Sequence, residues 1–389
     1  MNAHKLYGMP ASLYTAKARS YLRKQGIPFA EYGANHPDFA ARVIPKVGRF
    51  IVPVVETPSG EILQDGTDII DHFEHSGEAA FSVYPASTVV RTISLLFELF
   101  GGEGLLRPAM HYRWNFDDTN MSFIRNEFIA ALAPVGASKE EGDAFFDRSS
   151  GRMRKAAVGF GVSDEARPLI EESYAQFLQL FAEHLRSYPY LMGGRATIGD
   201  FGLVSALYGH LNRDPAPTLL MRQRAPEVSR WVERMHSPGE VWVEHSQNPE
   251  LVGADAVPDT LMALLSYVAE EYLPEIEAHV AFANEWLRAR PDLQPGTNGL
   301  KNPANRFIGE ATFDWRGITL TTAVLPYRFY LLQRIQDCYA SAAESDQRAI
   351  ETLLTSANLS ALLELKTLRR VERVNYLEVW GELRQEVGV

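Results

Sequence analysis

Residues 4–80 switch repeatedly between strand-like and helix-period hydrophobic patterns, and that alternation most narrows what this chain can fold into. "HKLYG" reads as a short strand. Residues 14–25 then place Tyr14, Ala18, Tyr21 and Leu22 on one helical face, with Lys17, Arg19, Arg23 and Lys24 elsewhere. Gly26 is placed to end that helix, and Pro28 starts an extended piece, "IPFAEYGA". "HPDFAARVI" is a second helical stretch. "RFIVPVVETPSGEILQD" predicts a β-hairpin, because Pro58 and Gly60 occupy the second and fourth turn positions of "TPSG". "TDIIDHFEHSG" closes the region as a helix with Gly77 as its stop, so the element order is βαβαββα.

From residue 85 to 247 the pattern is helical. Ile170, Tyr174, Phe177, Leu178, Phe181 and Leu185 keep helix spacing over four turns, while the polar stretch 115–165 gives no clear pattern. In "YLMGGRATIGDFGLVSALYGHL", Thr197 and Asp200 stand at capping-box spacing ahead of an apolar helix. Residues 251–389 form a third, mostly helical region. It opens with a long helix that Pro274 is expected to kink or divide, then has a strand at "GITLTTAV" and two closing helices, the last over "LKTLRRVERVNYLEVW". Three units are therefore expected: 1–80, 85–247 and 251–389.

Composition removes several function classes. The chain has 389 residues, more than one ordinary core accommodates, with 46% hydrophobic and 22% charged residues, as in globular proteins. A formal charge of −11 argues against broad phosphate-backbone binding. No apolar run reaches the length of a membrane span, and the N-terminus lacks a signal-peptide pattern, so a cytoplasmic location is expected. Cys338 is the single cysteine, which rules out an internal disulfide and any Cys-x-x-Cys site. The ten histidines show no metal-ligand spacing, and neither a phosphate-binding glycine loop nor a G-x-S-x-G elbow is present, so no metal site is expected.

Four local patterns occur in a telling order: "ASLYTAKAR", "IVPVV", "LQDGTDIIDHFE" and "YLMGGRATIGDFGL", followed by "RWVERM". Together with the βαβαββα order they resemble the glutathione transferase superfamily across residues 4–245. The resemblance implies an α/β thioredoxin-like domain followed by an all-helical domain, with glutathione as cosubstrate, a small hydrophobic electrophile as second substrate, and a homodimer. The reaction needs the thiolate, since an unperturbed thiol has a pKa near about 8.5. A hydroxyl donor near a positively polarised helix start favours that charged form.

By position, Ser12 matches the family's catalytic residue; its other reading is a helix N-cap, which serine favours in its own right. Tyr7, in the first strand, is the second catalytic candidate, and Tyr14 is the third, with core packing as its alternative. The resemblance assigns Val52 and a cis Pro53 to aligning the glutathione backbone, and Asp65 and Gly66 to the γ-glutamyl end. Gly66 stands where the family has serine, leaving Thr67 as the nearest hydroxyl. Arg49 and Lys46 are the candidate partners of the glycyl carboxylate. A protein of the same fold serving only as a binding or scaffold module is the competing expectation, favoured by Gly66 and by the extension. Elsewhere, buried packing is expected for Cys338, and packing or a surface loop for "MHYRWNF" (110–116). The basic cluster Lys366, Arg369, Arg370 and Arg373 is expected to be a solvated helix face or an intramolecular partner for the acidic excess.

Overall fold

A computed structural model describes residues 3–239, 244–245 and 250–384; the expected boundary at residue 247 lies outside them. The first unit is a four-stranded sheet in the order β2-β1-β3-β4, built from β1 (His4–Gly8), β2 (Phe29–Gly33), β3 (Val54–Glu56) and β4 (Ile62–Gln64). β1 and β2 pair in parallel because α1 (Leu13–Lys24) provides the crossover, whereas β1–β3 and β3–β4 are antiparallel. Strand alternation sends Leu6 and Val55 to the face carrying α1 and α3 (Gly66–Ser76), where Ile69, Ile70 and Phe73 join them. Tyr7 and Val54 point the other way, onto Phe39, Val43 and Val47 from a π-helical turn and the short α2 (Ile44–Val47).

Among the described residues eight α-helices follow: α4 (Thr88–Leu99), α5 (Leu106–Trp114), α6 (Asp117–Leu132), α7 (Lys139–Gly159), α8 (Ala166–Leu185), α9 (Ile198–Ala206), α10 (Pro215–Arg224) and α11 (Pro226–His236). The stretch without a clear pattern is thus α6 and α7. α9 is buried along its whole length and starts at the expected capping box, with the Thr197 N–H donating to Asp200 Oδ2 at 2.9 Å. It packs closely on α4: a Cβ at Gly202 would lie 2.4 Å from the Glu98 Cα, so a side chain there would force the two backbones apart.

The third region is α12 (Asp259–Arg288), a hairpin of β5 (Gly309–Trp315) and β6 (Ile318–Val324), α13 (Pro326–Ala340), α14 (Glu344–Ser356) and a second hairpin of β7 (Arg369–Val374) and β8 (Leu377–Leu383). α12 runs uninterrupted through Pro274. The expected final helix is a correction: "RRVERVNYLEVW" is the β7–β8 hairpin. Asn375 and Tyr376 take φ of 49° and 65° at its tip, as a two-residue primed turn requires, and asparagine tolerates that conformation better than most residues. Lys366, Arg369, Arg370 and Arg373 therefore lie on a strand and its approach. Among them Arg370 pairs with Asp337, and Arg373 with Asp68 and Glu378. The region is continuous with the rest: Ile335, Leu354 and Trp380 belong to the same apolar cluster as Leu6, Phe97 and Phe181. Cys338 is buried there, beside Thr92 of α4.

Candidate functional site

The start of α1 is fixed from behind by the second unit. Arg113, in "MHYRWNF", donates to the carbonyl of Ala11 at 2.6 Å while its guanidinium forks onto buried Asp214 at 2.6 and 2.8 Å. That leaves Ser12 as the N-cap, its Oγ accepting the Thr15 N–H at 3.3 Å. Ser12 is half-buried, and among the described residues its own O–H has no acceptor. The Tyr14 hydroxyl donates to Glu103 over a long 3.4 Å, and burial, followed by the Glu103 charge, pushes its pKa well up. Tyr7 is on the opposite sheet face. Its hydroxyl donates to Glu56 at 3.0 Å, Arg42 also grips that carboxylate, and burial and Glu56 raise the tyrosine to about 12. A phenol has one proton to donate, so the structure does not bring Tyr7 together with Ser12, and it commits Tyr14 to Glu103.

The Val52–Pro53 bond is cis, and among the described residues no hydrogen bond reaches the Val52 main chain. Asp65, the N-cap of α3, has φ of 88°, an uncommon value for a side-chain-bearing residue. Its Oδ1 accepts the Thr67 N–H at 2.9 Å and the Tyr327 O–H at 2.8 Å, the latter from α13. A Cβ on Gly66 would lie 3.0 Å from Lys17 Cδ, which accounts for glycine there: Lys17 is buried and anchored at its tip by Glu98 at 2.6 Å and Thr67 Oγ1 at 2.8 Å. The Thr67 hydroxyl in turn donates to Glu98 and lies 3.2 Å from Tyr327 Oη, so it is committed within the fold.

The hairpin completes the enclosure. Arg49 is buried and forks onto Glu378 of β8 at 3.1 and 3.3 Å, while its Nη2 donates to the Tyr376 carbonyl at 2.8 Å. Burial lowers the Arg49 pKa against the opposing pull of Glu378. Arg373 of β7 contacts the Gln64 side chain at 2.9 Å, Asp68 at 3.0 Å and Glu378. Burial alone would raise the Glu378 carboxyl, but Arg306, Arg373 and Arg49 outweigh it and hold the pKa at about 2. Tyr376 donates to the Ile62 carbonyl at 3.3 Å. Lys46 is exposed on α2, outside this network.

Of the expected residues, Tyr14, Asp65, Thr67 and Arg49 meet residues of the extension: Arg306, Tyr327, Tyr327 again, and Glu378 with Tyr376. Arg49, one of the two expected partners of the glycyl carboxylate, holds Glu378, and Asp65 Oδ1, at the expected γ-glutamyl end, accepts the Tyr327 O–H. Sequence reading missed Tyr327, Arg373, Tyr376 and Glu378, together with Lys17 and Glu98 beneath them. Only the basic cluster that includes Arg373 carried a signal, through its expected pairing with the chain's acidic excess. Among the described residues no group of His, Cys, Asp and Glu could hold a metal ion, and no helix is long and apolar enough to cross a membrane.

Residues 6–79 match the family model of the glutathione S-transferase N-terminal domain, and residues 162–238 that of the glutathione S-transferase C-terminal domain. No match was found among curated proteins. Similar solved structures include the glutathione transferase GSTFuA3 from Phanerochaete chrysosporium, at 15% identity, covering 60% of this chain and 96% of that one with a TM-score of 0.43. The beta-etherase LigF from Sphingobium sp. strain SYK-6 is 16% identical, with coverages of 60% and 95% and a TM-score of 0.42. A glutathione S-transferase of Ceriporiopsis subvermispora in complex with glutathione is 16% identical, with coverages of 60% and 96% and a TM-score of 0.40. The chain thus carries glutathione S-transferase N-terminal and C-terminal domains at residues 6–79 and 162–238.

Proposed function

We propose that this glutathione-transferase-like protein acts as a binding or scaffold member of its family, with the glutathione cradle filled by its own C-terminal extension. The observation that carries this reading is the pair of contacts Arg49–Glu378 and Asp65–Tyr327, which place a protein carboxylate and a protein hydroxyl on the two expected receptors. To enter, the tripeptide would have to break a buried bidentate ion pair and a buried charged hydrogen bond. Entry would exchange one carboxylate for another on Arg49, so the tripeptide gains no new ion pair there and must also undo the packing of the hairpin. A ligand binding at about 1 mM gains only about 4 kcal/mol. The test is calorimetry of the full chain with millimolar glutathione: no saturable heat is expected, and Ser12→Ala is expected to lose about 1 kcal/mol of stability as a missing cap with no change in thiol-conjugating activity. Saturable binding, with conjugating activity that Ser12→Ala removes, would overturn the proposal.

A specific observation favours a second reading, a hydroxyl-type transferase that attacks a small hydrophobic electrophile. The Ser12 O–H and the Val52 main chain remain uncommitted among the described residues, beside the cis Pro53. On that reading the β7–β8 hairpin and Tyr327 must first withdraw from Arg49 and Asp65. A homodimer and a cytoplasmic location belong to the proposal by resemblance alone. α13 and α14 lie over α4, so a second copy would dock on other faces of the first two units.

A further inference from the structure

The second unit and the start of the extension meet in a short ladder. Gly193 bridges Tyr190 on one side and Leu251 on the other, both antiparallel. The Gly194 N–H donates to the Glu250 carbonyl at 2.7 Å, and the Val252 N–H donates to the Met192 carbonyl at 2.9 Å. Main-chain groups alternate direction along such a pair, so with Glu250 and Val252 turned toward 192–194 the N–H and C=O of Leu251 face the other way. Among the described residues no hydrogen bond reaches either group. Glu250, Leu251 and Val252 all line a cavity of about 370 Å³, whereas Met192, Gly193 and Gly194 do not, which puts the cavity along the open edge of Leu251. Pro85, Ser87 and Val90 at the start of α4 also line it, together with Arg195.

A volume of this size lies at the lower end of small-molecule sites. An unpaired main-chain N–H and C=O beside each other offer an incoming amide the same pairing that Gly193 makes with Tyr190. Arg195 is half-buried, and among the described residues no hydrogen bond or ion pair reaches its guanidinium. Its forked donors match a carboxylate in a bidentate arrangement. Ser87 Oγ accepts the Val90 N–H at 3.4 Å, which leaves the Ser87 O–H to donate. Pro85, Val90 and Val252 supply apolar wall for an aliphatic group. The Glu250 carboxylate, exposed and unpaired, opposes a second negative charge.

We propose that this cavity binds a small N-acylated aliphatic amino acid, whose amide adds to the open edge at Leu251 and whose single carboxylate sits on Arg195. The site shares no residue with the filled cradle. The test is calorimetry of the full chain with N-acetyl-L-leucine as probe. N-acetyl-L-leucinamide, which lacks the carboxylate, and 4-methylpentanoate, which lacks the amide, are the comparison arms. N-acetyl-L-leucine is expected to saturate with a Kd of about 1 mM, and each comparison compound to bind at least tenfold more weakly. Arg195→Gln should weaken the probe at least tenfold with an unchanged melting temperature, because the guanidinium has no partner to lose. Arg195→Lys, which keeps the charge but not the fork, should weaken it several-fold and decides the matter if the glutamine variant does not fold. Absence of saturation by the probe, either comparison compound binding as tightly as the probe, or parent affinity in either Arg195 variant would overturn the proposal. None of these outcomes bears on whether glutathione enters the cradle, so this inference and the cradle reading fail separately.

Discussion

Removing the Glu378 carboxylate tests the enclosure where it is tightest. In Glu378→Ala, Arg49 loses hydrogen bonds of 3.1 and 3.3 Å and Arg373 loses its contact from the neighbouring strand, so two mostly buried guanidinia are left without that anion. Arg373 keeps Asp68, whereas Arg49 keeps only the Tyr376 carbonyl. Stranding a buried charge costs about 3–5 kcal/mol, and Arg49, with no second carboxylate, accounts for most of it. At about 2 °C per kcal/mol for a chain of this length, scanning calorimetry should read a fall in Tm of about 6–10 °C. The substitution also leaves a carboxylate-sized gap between two cations, so added formate should recover part of that loss in the variant while leaving the parent unchanged. A Tm within 1 °C of the parent would refute the reasoning, because Arg49 would then have water as an equal alternative to Glu378.

Acidification should destabilise the fold in two stages. Burial holds His184 at about 4 and His236 and His279 at about 3, against an ordinary value of 6.5, so the unfolded chain takes up those protons first and stability falls as pH drops below 6.5. Asp68, raised to about 6 chiefly by burial and then by Asp65, works in the opposite sense between 3.8 and 6, as do Glu103, Asp200 and Asp214, all raised by burial; against these four stand six histidines, because burial lowers His111, His210 and His245 too. Glu378 and Glu275, both held at about 2, add a second loss as pH falls from 4.5 toward 2. Chemical denaturation across pH 3–7 checks the sign, and a flat profile between pH 6.5 and 4.5 would contradict it. Gly66→Ser, which restores the family's serine, should destabilise by about 1 kcal/mol by crowding Lys17, whose tip is pinned by Glu98 and Thr67, and should not create glutathione binding. A stabilised variant, or one that binds glutathione in calorimetry, would show that Lys17 yields.

The first two units were legible because their signals are local. Alternation set the strands, Gly26 and Gly77 marked helix ends, and Thr197 with Asp200 announced α9. The β7–β8 hairpin was not legible, because "RRVERV" carries charges where an amphipathic helix would also carry them, and only "VNY" hints at a turn. The site was half legible for a different reason. Tyr14, Asp65, Asp68 and Arg49 sit in patterned segments, but they meet Arg306, Tyr327, Arg373 and Glu378 respectively, each more than 200 residues away, and no local pattern specifies a contact across that separation. The substitution of glycine for serine at 66 was visible in the sequence. Its cause, the aliphatic part of Lys17, was not.

The enclosure of the cradle is tested most directly by crystallising the full chain from millimolar glutathione. The account predicts Glu378 seated on Arg49, Tyr327 on Asp65, and no tripeptide along the main chain of Val52. A tripeptide lying there with its sulfur against Ser12 Oγ, and the β7–β8 hairpin displaced, would contradict it.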